Sequence, residues 1–271
     1  MEVVREASSR AGLLDVQRVT VRFGGVTALE SVSLDVTSGE VLGVIGPNGA
    51  GKTTLFNCIS GFVRAQSGTI SWRGERLDRM RPDRRAGQGI ARTLQGVGLF
   101  TGLTVAENVM IGAGRFRRAG LLSALLALPR SERDERALRE RALEALRAVG
   151  CEEFADRLPG SLPFATQKRV ALARALAGEP SLLLLDEPAS GLDTDELEQL
   201  ATLIRRIRAE MSVMLVEHHM DFVMSVSDRV AALDFGRVIC TGPPETVRSD
   251  PRVIEAYLGD DAFAGRAGRD A

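Results

Sequence analysis

The nine residues Gly46-Pro47-Asn48-Gly49-Ala50-Gly51-Lys52-Thr53-Thr54 constrain this chain more than any other stretch. They follow an apolar run, Val41-Leu42-Gly43-Val44-Ile45, and precede a helical pattern, Leu55-Phe56-Asn57-Cys58-Ile59. Strand, glycine loop and helix form the setting in which GxxxxGK[ST] becomes a phosphate cradle. Glycines let the backbone fold tightly, so that several N–H groups converge on one concavity. The positive end of the following helix adds to that field. In this pattern Lys52 lies along the outer phosphates, and the Thr53 hydroxyl ligates Mg²⁺. A nucleoside triphosphate is the ligand this implies.

Composition removes several classes. Hydrophobic residues make up 44% and charged residues 26%, as in an ordinary globular protein. Lys+Arg number 35 against 36 Asp+Glu, and that balance argues against a general nucleic-acid binder. Cys58, Cys151 and Cys240 lie far apart, and the chain has only 2 histidines. Neither a zinc site nor a disulfide framework is expected, which fits a reducing cytosol. Met1 to Leu14 carries charges throughout and lacks the apolar core of a signal peptide. The longest greasy run, Ala119 to Leu128, is too short to span a bilayer, so any membrane connection runs through a partner.

Alternation predicts strands over Leu13–Phe23 and Ala28–Val36, separated at Gly24-Gly25. Phe23, at a strand end, is either a core aromatic or a ring that stacks on adenine. Ser67–Glu75 reads as strand and turn, with Trp72 as packing. Ile90–Gln95 reads as a strand whose last residue, Gln95, can reach Mg²⁺ or the attacking water as a neutral amide. Thr104 with Glu107 is a capping box, and Ser131 to Asp134 repeats the pattern. From Ser131 to Val149 an amphipathic helix puts Leu138, Ala142, Leu146 and Val149 on one face. This charged, Ala/Leu-rich block predicts a helical subdomain inserted in an α/β core. Gln167 to Ala177 is a further helix, stopped by Gly178-Glu179-Pro180.

Ser181-Leu182-Leu183-Leu184-Leu185-Asp186-Glu187 is solidly apolar until its last two residues. Such a run is a strand buried on both faces. Two carboxylates at its end are costly unless they work there. Asp186 is placed to hold Mg²⁺ and Glu187 to orient and deprotonate water. Read in isolation, the pair could instead cap a helix over Asp193 to Arg208. Ser212–Val216 is another buried strand, ending at Glu217-His218-His219, where His218 can meet a γ-phosphate.

Taken together, this order of pieces resembles the ATP-binding subunits of ABC transporters. The likeness covers residues 13–259, with a helical subdomain at about 96–178 and a tail, 260–271, expected to be disordered. It implies an α/β P-loop NTPase core of the RecA-like type, with an antiparallel β subdomain and the helical insert. Gly46–Thr54 resembles the Walker A loop, Gln95 the Q-loop, Leu182–Glu187 Walker B, Ser190–Asp193 the D-loop and His218 the switch histidine. Phe23 takes the place of the adenine-stacking aromatic. Phe23-Gly24-Gly25, Ala91–Gln95, Glu217–Met220 and the ending Glu255–Gly259 are similar to the larger ATPase of branched-chain amino acid importers. Relatives of that group import amides or urea.

The signature loop departs from its family. LSGGQ, or LPYG then Gln in this branch, is here Leu162-Pro163-Phe164-Ala165-Thr166-Gln167. A Cβ at Ala165 restricts both close approach and backbone freedom. His219 also stands where an Asp is usual.

The resemblance implies ATP and Mg²⁺ as cofactors. It also implies a head-to-tail dimer with a second ATPase subunit, identical or paralogous, in which each signature meets the other's nucleotide. Transmembrane permease subunits and, indirectly, a solute-binding protein follow, with the chain peripheral on the cytoplasmic face. A soluble ABC ATPase outside transport usually carries coiled coils or tandem units, absent here. A small-molecule kinase would have no use for Gln95, Leu162–Gln167 and His218 in this order. A regulatory subunit of low activity is made conceivable by the altered signature, against intact Lys52, Asp186 and Glu187.

Overall fold

The computed structural model describes residues 12–93, 96–116 and 129–258. It divides into two units, the first holding residues up to Pro82 and from Ile207 onward, the second Asp83–Arg206.

The first unit begins with β1 (Leu14–Phe23), which pairs antiparallel with β2 (Val26–Val36) and β4 (Ser67–Trp72). Strict alternation fails once. Val16 and Val19 are both buried because the register shifts between them, with Arg18 at φ 47. Such a bulge lets two apolar residues an odd number apart face one core. Gly68 lies against it, and a Cβ there would fall 2.3 Å from the Arg18 carbonyl oxygen. The short β5 (Glu75–Arg76) completes the order β2-β1-β4-β5. Trp72 is 2% exposed, the packing role expected of it.

The other sheet of this unit is built on β3 (Val41–Ile45), buried along its whole length between two parallel neighbours. These are β8 (Ser212–Val216) and β9 (Arg229–Asp234). β10 (Arg237–Gly242) returns antiparallel to β9. Burial on both faces explains the continuous apolar runs of β3 and β8. α1 (Lys52–Ser60) follows β3, α7 (Met220–Val226) follows β8, and α8 (Pro244–Arg248) with α9 (251–258) closes the unit.

The second unit holds α2 (Pro82–Gly87, whose first residue falls in the first unit), then β6 (Ile90–Arg92) paired parallel with β7 (Leu182–Asp186). Its helices are α3 (Val105–Gly112), α4 (Pro129–Ala148), α5 (Phe164–Leu176) and α6 (Thr194–Ile207). The capping box at Thr104 forms as read: its hydroxyl accepts from the Glu107 amide while the Glu107 carboxylate takes the Thr104 amide. α4 buries Ala142 and Leu146 on one face; Val149 is buried just past its end, and Leu138 is only half-buried. It begins at Pro129, before the second capping pattern, because proline's fixed φ suits a first turn. α5 begins earlier than its apolar pattern suggests, at Phe164, with Pro163 as its cap. The cap of α6 is not Asp186-Glu187 but Asp193, which accepts from the Glu196 amide at 2.9 Å. The Ala119–Leu128 run and the 260–271 tail lie outside the described residues. No described helix is long and apolar enough to cross a membrane.

Candidate nucleotide site

In the first unit the chain leaves β3 at Ile45 and enters α1 at Lys52 with Gly51 as cap, at φ 101. A left-handed cap turns the first amides of α1 toward the loop they follow. Two of the loop glycines are fixed by close approach as well as by φ. A Cβ on Gly46 would sit 2.2 Å from the Leu233 carbonyl oxygen, and one on Gly51 2.4 Å from that of Ala28. The Gly236 turn binds the loop to β2: its amide donates to the Ala50 carbonyl and its carbonyl accepts from the Glu30 amide. Ala50 is buried, Pro47 and Thr54 are half-buried, and Asn48, Gly49 and Thr53 face outward.

Lys52 is 8% exposed, and its ammonium donates to the carbonyl oxygens of Gly46, at 2.6 Å, and Pro47, at 2.9 Å. The positive charge therefore stands inside the loop. Phe23 is 52% exposed at the end of β1, which rules out the core-aromatic alternative and leaves its face free to stack. His218 follows β8 with its side chain half exposed. Its amide donates to the carboxylate of Glu217, a fully buried acid, at 3.0 Å. His219 caps α7 without a side-chain hydrogen bond, and its ring centroid is 4.3 Å from that of His218.

In the second unit, β7 delivers Asp186 at its end, 4% exposed. Its carboxylate pairs with the Arg92 guanidinium at 2.6 Å, and its amide donates to the Thr93 hydroxyl. Glu187 follows at φ 48, half-buried. That conformation costs a residue with a Cβ about 1–2 kcal/mol, which the surroundings must offset. Of the signature residues, Leu162 is buried and Pro163, Phe164, Ala165 and Thr166 form the cap and first turn of α5. Ala165 has no positive φ, so the methyl costs no backbone strain. The Thr166 hydroxyl accepts weakly from Arg169, at 3.4 Å. Gln95 lies outside the described residues.

Four groups that hold these residues escaped the sequence reading. Arg92 and Lys168 look like any surface cation, and their partners are distant in sequence. Glu217 gave a signal of sorts, an acid at the end of an apolar strand. Tyr257 is the only tyrosine in the chain, and its hydroxyl accepts from the Gly46 amide at 2.8 Å. It thereby anchors the start of the phosphate loop from α9.

Residues 29–190 match the family described as ABC transporter, and residues 237–262 that described as branched-chain amino acid ATP-binding cassette transporter. The high-affinity branched-chain amino acid transport ATP-binding protein BraF of Pseudomonas aeruginosa is 40% identical over 250 residues, 92% of this chain and 98% of that one. A nucleotide-free ATP-binding cassette from an ABC transporter superposes with a TM-score of 0.79 at 28% identity, over 91% of this chain and 98% of that one. The dimeric post-hydrolysis state of another cassette, bound to ADP and Pi, gives 0.72 at 26% identity, over 85% and 98%.

Proposed function

We propose, since this chain belongs to the ABC transporter family as one of its ATP-binding subunits, that it powers uptake of branched-chain amino acids, or of a related amino acid or amide, through partner permeases. The observation that carries the reading is the loop between β3 and α1, with the Lys52 ammonium held inside it under the amides of a helix start. The printed function of BraF and the match over residues 237–262 support the class of solute.

The ATPase domain is taken as 13–259, with the helical part at about 96–178. The adenine stacks on Phe23, and the phosphates lie along the amides of Gly46–Thr54 with Lys52 on the outer two. Thr53, Asp186 and Gln95 would hold Mg²⁺. The acid fits that task, since it is buried and already accepts a cation, Arg92. Bound there, the metal neutralises charge on the phosphate oxygens. Glu187 orients the attacking water and takes its proton. His218 and Gln95 meet the γ-phosphate and its water.

A second ATPase subunit closes head to tail, its signature completing this chain's site while Leu162–Thr166 complete the other. The site that uses Ala165 is the slower of the two. The solved dimer of a related cassette supports this assembly. The chain sits peripherally on the cytoplasmic face, in contact with permease subunits and, through them, a solute-binding protein.

The test has two arms. Purification from membranes should bring down two permeases and a solute-binding protein; a chain that co-purifies with no membrane protein would remove the transport role. Glu187→Gln should bind ATP, lose turnover by about a hundredfold or more and accumulate as an ATP-bound dimer. Near-normal hydrolysis by that variant would remove the role of Glu187.

A further inference from the structure

We propose that Lys168 is a positioning residue for Glu187, and that through it the first turn of α5 and the turn after β7 move as one piece. The inference rests on the reading of Glu187 given under Proposed function.

Glu187 occupies the left-handed region at φ 48, where a residue with a Cβ stays only if its surroundings impose the conformation. Those surroundings converge on one ammonium. Lys168 donates to the carbonyl oxygens of Pro188, at 2.9 Å, of Glu187, at 3.5 Å, and of Ser190. Three carbonyls turned to one point repel one another unless a cation sits among them, and an ammonium offers three protons and no acceptor. Phe164, one helical turn before Lys168, adds a second attachment. Its ring lies 5.3 Å from the ammonium and against Gly191, where a Cβ would come within 3.1 Å. Gly191 is itself at φ 75, so the turn favours glycine there, and the ring leaves little room for a side chain.

The two attachments join surfaces that act in different sites. The first turn of α5 carries Ala165 and Thr166, which meet the second subunit's nucleotide, whereas Glu187 serves the nucleotide of its own chain. A signature that docks well therefore sets the hydrolytic carboxylate of the opposite site. Displacement of a reacting group by about 1 Å costs on the order of a hundredfold in rate, so a loosened turn should lower kcat and leave ATP affinity alone.

The experiment compares the assembled complex carrying the wild-type chain, Lys168→Met, Lys168→Arg or Glu187→Gln, measuring steady-state ATPase and the binding of a fluorescent ATP analogue. Lys168→Met keeps the stem and removes the donors. It should lose about tenfold or more in kcat with analogue affinity within about twofold. Lys168→Arg, which returns donors to the same carbonyls, should recover most of the rate. If Lys168→Met fails to fold, Lys168→Gln, a shorter neutral donor, stands in and should turn over more slowly than both wild type and Lys168→Arg. Wild-type kcat in Lys168→Met, or in Lys168→Gln where that variant stands in, would overturn the inference, as would an Lys168→Arg variant no faster than the donor-free one. Either result leaves the reading of Glu187 untouched, because that reading fails only if Glu187→Gln turns over.

Discussion

The Arg92 guanidinium and the Asp186 carboxylate form an ion pair at 2.6 Å, with the two side chains 13% and 2% exposed. They are 94 residues apart in sequence and sit at the ends of the paired strands β6 and β7. Desolvation makes a lone carboxylate costly there, so the guanidinium balances the buried charge.

Arg92→Ala should therefore destabilise the nucleotide-free chain by about 3 kcal/mol, because it leaves a buried acid uncompensated. Addition of Asp186→Asn should return much of that loss. Mg²⁺ with ATP should narrow the deficit of the single variant. Urea denaturation of the three proteins, with and without Mg²⁺ and ATP, reads all three effects; equal stability of Arg92→Ala and wild type would mean the pair contributes nothing.

Ala165→Gly should raise the ATPase rate of the assembled complex by about two- to fivefold, a barrier change of under 1 kcal/mol. The gain is modest because Ala165 lies in an ordinary helical turn, so only its methyl is removed. Glycine in that turn should also lower the melting temperature slightly. An unchanged rate would show that the altered signature does not slow the site.

Tyr257→Phe removes the acceptor of the Gly46 amide and keeps the ring. A lost hydrogen bond of this kind is worth about 1 kcal/mol, so ATP affinity should fall roughly fivefold. Titration with a fluorescent nucleotide measures it. Unchanged affinity would confine Tyr257 to holding α9.

Thr104→Ala should cost about 1 kcal/mol of stability at neutral pH through the lost cap of α3. The Thr104 amide and then its hydroxyl, both donating to Glu107, hold that carboxyl below its ordinary value of 4.5. A depressed carboxyl stabilises the fold above its unfolded value and loses that contribution as pH falls through the folded one. The gap between wild type and Thr104→Ala should thus shrink in acid, as urea denaturation at pH 7 and near pH 3 will report.

What short-range sterics and periodicity encode was legible from the residues alone. The phosphate loop, the buried strands β3, β7 and β8 and the capping box at Thr104 are each written within a dozen residues, because backbone freedom, side-chain period and cap chemistry act over that distance. Features that depend on distant segments meeting emerged only in the folded chain. The bulge at Arg18 exists because Val16 and Val19 share a core, and Phe164, the first residue of α5, packs its ring against Gly191 of the turn after β7. Lys168 finds three carbonyls some 20 residues on, and Tyr257 reaches Gly46 across 211. A lysine or a tyrosine carries no local sign of its partner, since the packing of the whole chain, rather than the residue's neighbours, brings donor and acceptor within 3 Å.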